Sequence, residues 1–143
     1  MQHFKIVPLA SVIPLRHLVL RAGKPIETCY FDGDQDPKTW HAALFVDENA
    51  VAIGTFLQVS HPAFPQGVQL RGMAVHPDFA SQGIGTAFMQ HVLFELQSQG
   101  VTQLWCNARL TAESFYVKQG FTRVGAAFDV PGIGPHVVMG RFI

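Results

Sequence analysis

Between Asp78 and Gly100 the chain reads DFASQGIGTAFMQHVLFELQSQG, two glycines set one residue apart and then apolar residues at helical spacing. The spacing predicts a helix over Gly83–Gln99 with Ile84, Phe88, Met89, Val92, Leu93 and Leu96 on one face and Gly100 as its stop. So wide an apolar stripe has to be covered by another layer of structure. The glycines add a second constraint. A helix start carries unsatisfied N–H groups and partial positive charge, so glycines there let an anion such as phosphate approach the backbone. They serve a tight turn equally well. Two nucleotide motifs are excluded: a dinucleotide fingerprint needs a third glycine where Phe88 stands, and a Walker loop needs a lysine that is absent.

The covering layer is legible on both sides of this helix. HFKIVPL reads as an edge strand, and SVIPLRHLVLR as a helix capped by Ser11 with Pro14 in its first turn. After the loop FDGDQDPKT, the stretch WHAALFVDENAVAIGTFLQVS predicts two strands around a turn at Asp47–Asn49. VQLRGMAV is a further strand in which Gly72 marks a bulge or a close backbone approach. Beyond the long helix, VTQLWCN reads as a buried strand, Thr111–Gln119 as a short helix closed by Gly120, and HVVMGRFI as the last strand, entered through the Gly/Pro loop of FDVPGIGPHVVM. This order predicts an α/β class with a mixed sheet, in a single domain over residues 1–143.

Composition narrows the partner. Ten basic and ten acidic residues cancel, so no chain-wide field draws in nucleic acid or an anionic membrane, and a small or local partner is expected. With 48% hydrophobic and 14% charged residues, the chain suits a large interior or an apolar cleft. Lys5, Pro8, Pro14 and Arg16 interrupt the apolar N-terminus, which argues against a signal peptide or a membrane span. Cys29 and Cys106 make neither a disulfide framework nor a CxxC motif, and a reducing, cytoplasmic setting is expected. No HExxH motif or Cys/His cluster supports a metal. Self-association into a homodimer is left open.

LRGMAVHPDFASQGIGTAFMQHVL followed by WCNARLTAESFYVKQGFTRVG resembles the GNAT superfamily of acetyl-CoA-dependent N-acetyltransferases, closely over Leu70–Val124. The resemblance implies a mostly antiparallel sheet with a splayed central strand pair and flanking helices, acetyl-CoA as cosubstrate and a primary amine on a small molecule or peptide as acceptor. It implies that backbone groups of Met73, Ala74 and Val75 meet the pantetheine and that Gln82, Gly83, Ile84, Gly85 and Thr86 hold the phosphates. Asn107 then lies near the cofactor, and Tyr116 donates a proton to the departing sulfur. Ala80 departs from the motif, whose first position is usually Gln or Arg. The strand positions that often carry a glutamate base hold Gln69 and Arg71, leaving a water chain or one of His41, His76 and His136 for proton removal. The acceptor is expected against the N-terminal half, near Glu27, Asp32, Asp34 and Asp36, with Arg71 pairing a carboxylate where the acceptor carries one, as an amino acid does. A catalytically weak acyl-CoA sensor and a protein-interaction module stand as alternatives.

Overall fold

The computed structural model describes residues 1–143 throughout. Seven strands, β1 (Gln2–Val7), β2 (Trp40–Val46), β3 (Asn49–Leu57), β4 (Gly67–Val75), β5 (Gln103–Arg109), β6 (Thr122–Val130) and β7 (Gly134–Phe142), alternate with three helices. The helices are α1 (Ile13–Leu20), α2 (Ile84–Ser98) and α3 (Glu113–Lys118). The strands form one sheet in the order β1-β2-β3-β4-β5-β7-β6. The β1–β2, β2–β3, β5–β7 and β6–β7 ladders are antiparallel and β4–β5 is parallel, the α/β, mostly antiparallel arrangement that the sequence implied. The parallel ladder joins Gly67–Leu70 to Gln103–Cys106 and ends there, although β4 continues to Val75 and β5 to Arg109. No helix is long and apolar enough to cross a membrane.

Residues pack into two compact units that share β4 and α2: Met1–Leu57 with Arg71–Phe94, and Gln58–Leu70 with Glu95–Ile143. In the first, Val12 and Leu15 from α1, Ala43 from β2, Ile53 from β3 and Ala74 from β4 form a buried cluster. Asp47, at φ 54°, turns β2 into β3. Along α2, Ile84, Phe88, Met89, Val92 and Leu96 are buried as the spacing predicts, whereas Leu93, expected on the same face, is only half-buried at its margin. Phe88 lies against Phe4 of β1, ring centroids 5.8 Å apart. Burying such a side chain contributes about 1.5–3 kcal/mol, which is why the periodicity was so readable a signal.

In the second unit β5 runs between β4 and β7. The Phe64 ring covers Gly140 of β7 so tightly that a Cβ there would collide with it. Trp105 of β5 is buried and its indole N–H donates to the Val59 carbonyl at 2.8 Å. Gly120, at φ 86°, ends α3 as expected.

Two local expectations are corrected. Ser11 does not cap α1: it belongs to a 3-10 turn at Leu9–Ser11, and Val12 occupies the cap position with no side-chain bond. That turn runs directly into the helix, so Val12 is already right-handed (φ −97°, ψ −16°) and no extended residue is present from which a hydroxyl can reach back. The second correction is β6, absent from the sequence reading. It is a sheet edge paired only with β7, with a register shift between Val124 and Phe128 and exposed side chains along most of its length. Without a buried face it has no alternation to read.

Candidate active site

The chain leaves β4 through His76, whose ring Nδ1 accepts the Asp78 N–H at 3.1 Å and so caps the 3-10 turn Pro77–Phe79. Ser81 (φ 61°) and Gly83 (φ 76°) then both take left-handed conformations, and α2 begins at Ile84. A Cβ on Gly83 would meet nothing within 4 Å. Gly83 is therefore needed for its backbone angle, and the loop face beside it is open. Gly85 differs: it is buried in the first turn of α2. Ser81 holds a conformation that costs an ordinary L-residue about 1–2 kcal/mol. The Ala87 N–H bonds back to the Gly83 carbonyl at 3.0 Å, so the N–H groups of Ile84 and Gly85 lie in the first turn, where helix geometry offers no intrahelical acceptor. Ser81, Gln82 and Gly83 are exposed, which suits a backbone cradle for an anion.

Gly72 interrupts β4 at φ 62°. Besides the angle, space excludes a side chain: a Cβ would lie 3.0 Å from Arg16 Nε and 3.1 Å from Phe31 Cε2. The strand residues past it, Met73, Ala74 and Val75, are half-buried, buried and half-buried.

Arg16 is fully buried on α1, an arginine inside an apolar stripe. Its Nη1 donates to Asp34 Oδ2 at 2.7 Å and to the Cys29 carbonyl at 2.8 Å, while Nη2 donates to Asp34 Oδ1 at 2.9 Å and to Thr55 Oγ1 at 2.7 Å. Asp34 Oδ2 also accepts the Phe31 N–H at 2.7 Å, which fixes the loop around Phe31. His41 completes the network, Nδ1 2.8 Å from Thr55 Oγ1 and Nε2 3.1 Å from the Asp34 carbonyl. A carbonyl only accepts, so Nε2 carries the proton and Nδ1 accepts from the Thr55 hydroxyl. Burial lowers the His41 pKa, against the opposing pull of Asp34, in keeping with that neutral ring. Burial alone raises Asp34, but the Arg16 and Phe31 hydrogen bonds and the Arg16 charge outweigh it, and its pKa is lowered. His41 and Asp34, expected near the acceptor, thus have their polar atoms engaged by one another's neighbours.

Three guanidinium groups surround the Phe31 ring: Arg16 at 4.1 Å, Arg71 at 4.8 Å and Arg21 at 5.1 Å from its centroid. Arg21 donates to the Leu20 carbonyl at 3.0 Å. Arg71 is half-buried, and burial lowers its pKa while Asp34 and Asp32 act in the opposite sense to Arg16. Arg16, Phe31 and Thr55 were missed in the sequence. The available signal was Arg16 at a core position of α1, which demands a buried acid.

In the other unit Tyr116 of α3 is 7% exposed and its hydroxyl shares a hydrogen bond with the Cys106 thiol of β5. Burial pushes the Cys106 thiol up to about 12. Burial, with Cys106 adding to it, also raises Tyr116 well above the usual phenol value, so both groups are protonated at neutral pH. Tyr116 packs against Phe115 and Phe121 at 5.2 Å each. Asn107, next to Cys106, is exposed on β5. His136 lies in the β6–β7 hairpin, where its Nδ1–H donates to the Gly134 carbonyl at 2.9 Å and the ring stacks on Phe128.

Comparison with known proteins identifies the fold that carries this geometry. Residues 38–140 match the family model for the acetyltransferase (GNAT) domain. The chain is 33% identical over 141 residues to the uncharacterized N-acetyltransferase YitI of Bacillus subtilis (strain 168), covering 97% of this chain and 95% of that protein. Among solved structures, a ribosomal-protein-alanine N-acetyltransferase from Escherichia coli superposes with a TM-score of 0.78 at 20% identity, over 100% of this chain and 94% of the other. An aminoglycoside N-acetyltransferase complexed with coenzyme A superposes with a TM-score of 0.72 at 16% identity, over 98% and 96%. The fold is shared with both, and on the family match and the full-length relative together, the chain belongs to the GNAT family of acetyltransferases.

Proposed function

We propose that the protein moves the acetyl group of acetyl-CoA to a primary amine of a small molecule or peptide. The observation that carries this reading is the exposed left-handed pair Ser81 and Gly83 delivering the chain into the start of α2, inside the region matched to the family. On this reading the N–H groups of Gln82 to Thr86 hold the phosphates, the Met73–Val75 backbone pairs with the pantetheine amides, and Asn107 lies beside it. Acetyl-CoA supplies an activated acyl carbon. The amine nitrogen bonds to that carbon as the C–S bond breaks, and Tyr116, kept protonated by burial, gives its proton to the leaving sulfur. β4 carries no carboxylate, so the amine proton leaves through water rather than to a strand glutamate.

Thermal unfolding with coenzyme A tests the binding half. At about 100 times its dissociation constant, a ligand adds roughly 2.7 kcal/mol and raises Tm by several degrees. Gly83→Val forces a β-branched residue onto the left-handed angle of this exposed loop, so it should distort the cradle and abolish that rise, with circular dichroism checking that the protein still folds. No rise in the wild type at millimolar coenzyme A would overturn the proposal. Transfer is measured by acetyl-CoA consumption over a panel of primary amines.

A further inference from the structure

We infer that the Arg71 guanidinium, seated on the Phe31 ring, receives a carboxylate of the amine acceptor, so that the preferred acceptors are amino acids. This inference rests on the acetyl-transfer reading and adds the substrate class to it. Of the three guanidinium groups around Phe31, Arg16 is engaged by four hydrogen bonds and Arg21 donates to the Leu20 carbonyl. Arg71 instead has the ring as its contact, 4.8 Å from the centroid, with no carboxylate within salt-bridge distance. A half-buried guanidinium without an acceptor is an unmet demand for a planar anion.

The charges around it add up in the same sense. Arg16 and Asp34 neutralise one another in a bidentate pair, leaving the exposed Asp32 as the other acid acting on Arg71. The contact with the ring also restrains the Arg71 head before any ligand arrives, so less side-chain freedom remains to be lost on binding. Phe31 is itself held, since its N–H is bonded to Asp34. The buried network is thus a scaffold that presents one charged fork. A fork of that shape matches a carboxylate through two parallel N–H···O bonds, whereas a neutral amide leaves part of it unpaired.

The experiment pairs each of several amino acids with its carboxamide at saturating acetyl-CoA, in wild type, Arg71→Gln and Arg71→Lys. Calorimetry of amino-acid binding to the coenzyme A-loaded protein gives a readout independent of turnover. The wild type should prefer the acid by roughly 10- to 100-fold in kcat/KM, the range expected for a charge-assisted pair. Arg71→Gln should remove that preference by raising KM for acids, with kcat and the coenzyme A-induced rise in Tm little changed. Arg71→Lys, which keeps the charge and loses the fork, should retain part of it and serves as the test if Arg71→Gln does not fold. Equal wild-type rates on acids and amides, equal loss on both in Arg71→Gln, or unchanged amino-acid binding in the variants would overturn the inference. Loss of coenzyme A binding in Arg71→Gln would overturn it too, by moving Arg71 to the other substrate. A wild type that binds no coenzyme A fails differently, because that outcome removes the transferase reading itself.

Discussion

The two units each bury a polar cluster, and the clusters are built on opposite rules. In the first, a fully buried Arg16 is matched by Asp34, Thr55 and the Cys29 carbonyl, and His41 ties Thr55 back to the Asp34 main chain. In the second, two neutral groups, Tyr116 and Cys106, share one side-chain hydrogen bond. A charged network with nearly every atom engaged cannot give up a partner without leaving a buried charge, so it positions what surrounds it. A neutral pair that loses its one bond leaves an unpaired polar group but no buried charge, so the cost is smaller. The difference separates a charged scaffold from a neutral pair, the pair that the proposed mechanism uses as its proton donor, and each cluster should break accordingly.

Removing Asp34 is the largest expected effect. Asp34→Ala leaves the Arg16 charge unpaired in the core, which typically costs about 3–5 kcal/mol. Denaturant unfolding measures it, and a loss under about 1 kcal/mol would show that the network is not a scaffold. The double replacement Arg16→Met with Asp34→Leu should cost less than Asp34→Ala alone, because it removes both charges. The double variant should nevertheless lose its discrimination between amino acids and carboxamides, since Phe31 is then no longer held beneath Arg71.

Tyr116→Phe should act on rate rather than on fold. The ring and its contacts with Phe115 and Phe121 remain, while the proposed proton donor is deleted. General-acid assistance contributes about 10²–10⁴ in rate, and a thiol with an ordinary pKa of about 8.5 leaves tolerably without help, so a fall of about 10² in kcat is expected. Stability should fall by about 1 kcal/mol, the net value of one hydrogen bond. A folded variant that binds coenzyme A and turns over within about threefold of wild type would make Tyr116 a packing aromatic, provided chemistry limits kcat.

The same contrast explains what could be read before the structure. α2 was legible because five of the six residues read at helical spacing are buried and the sixth, Leu93, is half-buried, and Gly72, Gly100 and Gly120 were legible because each takes a positive φ where the chain must turn or bend. β6 was not, since its exposed edge carries no pattern. At the candidate site, the glycine loop was readable as local chemistry, but its two glycines do different work, Gly83 by angle and Gly85 by burial. The Arg16 network was invisible because its members lie on α1, a loop, β2 and β3, and only the fold makes them neighbours. Arg71 was noticed as a departure from a carboxylate position; the ring beneath it was not.

The smallest expected effect is on the pH dependence of stability, where the clusters should fail at opposite ends. His41 has a lowered pKa in the fold, so the unfolded chain binds the proton more readily. Its contribution is complete above the ordinary value of 6.5 and is lost as pH falls from there toward the folded value, with Asp34 following below 3.8. Cys106 and Tyr116 have raised values, so their contribution is complete below 9.0 and 10.0 and is lost as pH rises, for Cys106 through about 12. One proton per group limits each slope to about 1.4 kcal/mol per pH unit. Tm measured against pH should therefore run flat between about 6.5 and 9 as far as these groups decide it, and decline on both sides. His41→Gln should flatten the acid shoulder just below 6.5 and leave the alkaline limb unchanged, while Cys106→Ala should do the reverse. An alkaline limb that begins at the same pH and is as steep in Cys106→Ala as in the wild type would mean that Cys106 is not the buried thiol partner of Tyr116, and the contrast between a charged scaffold and a neutral donor pair would lose its second member.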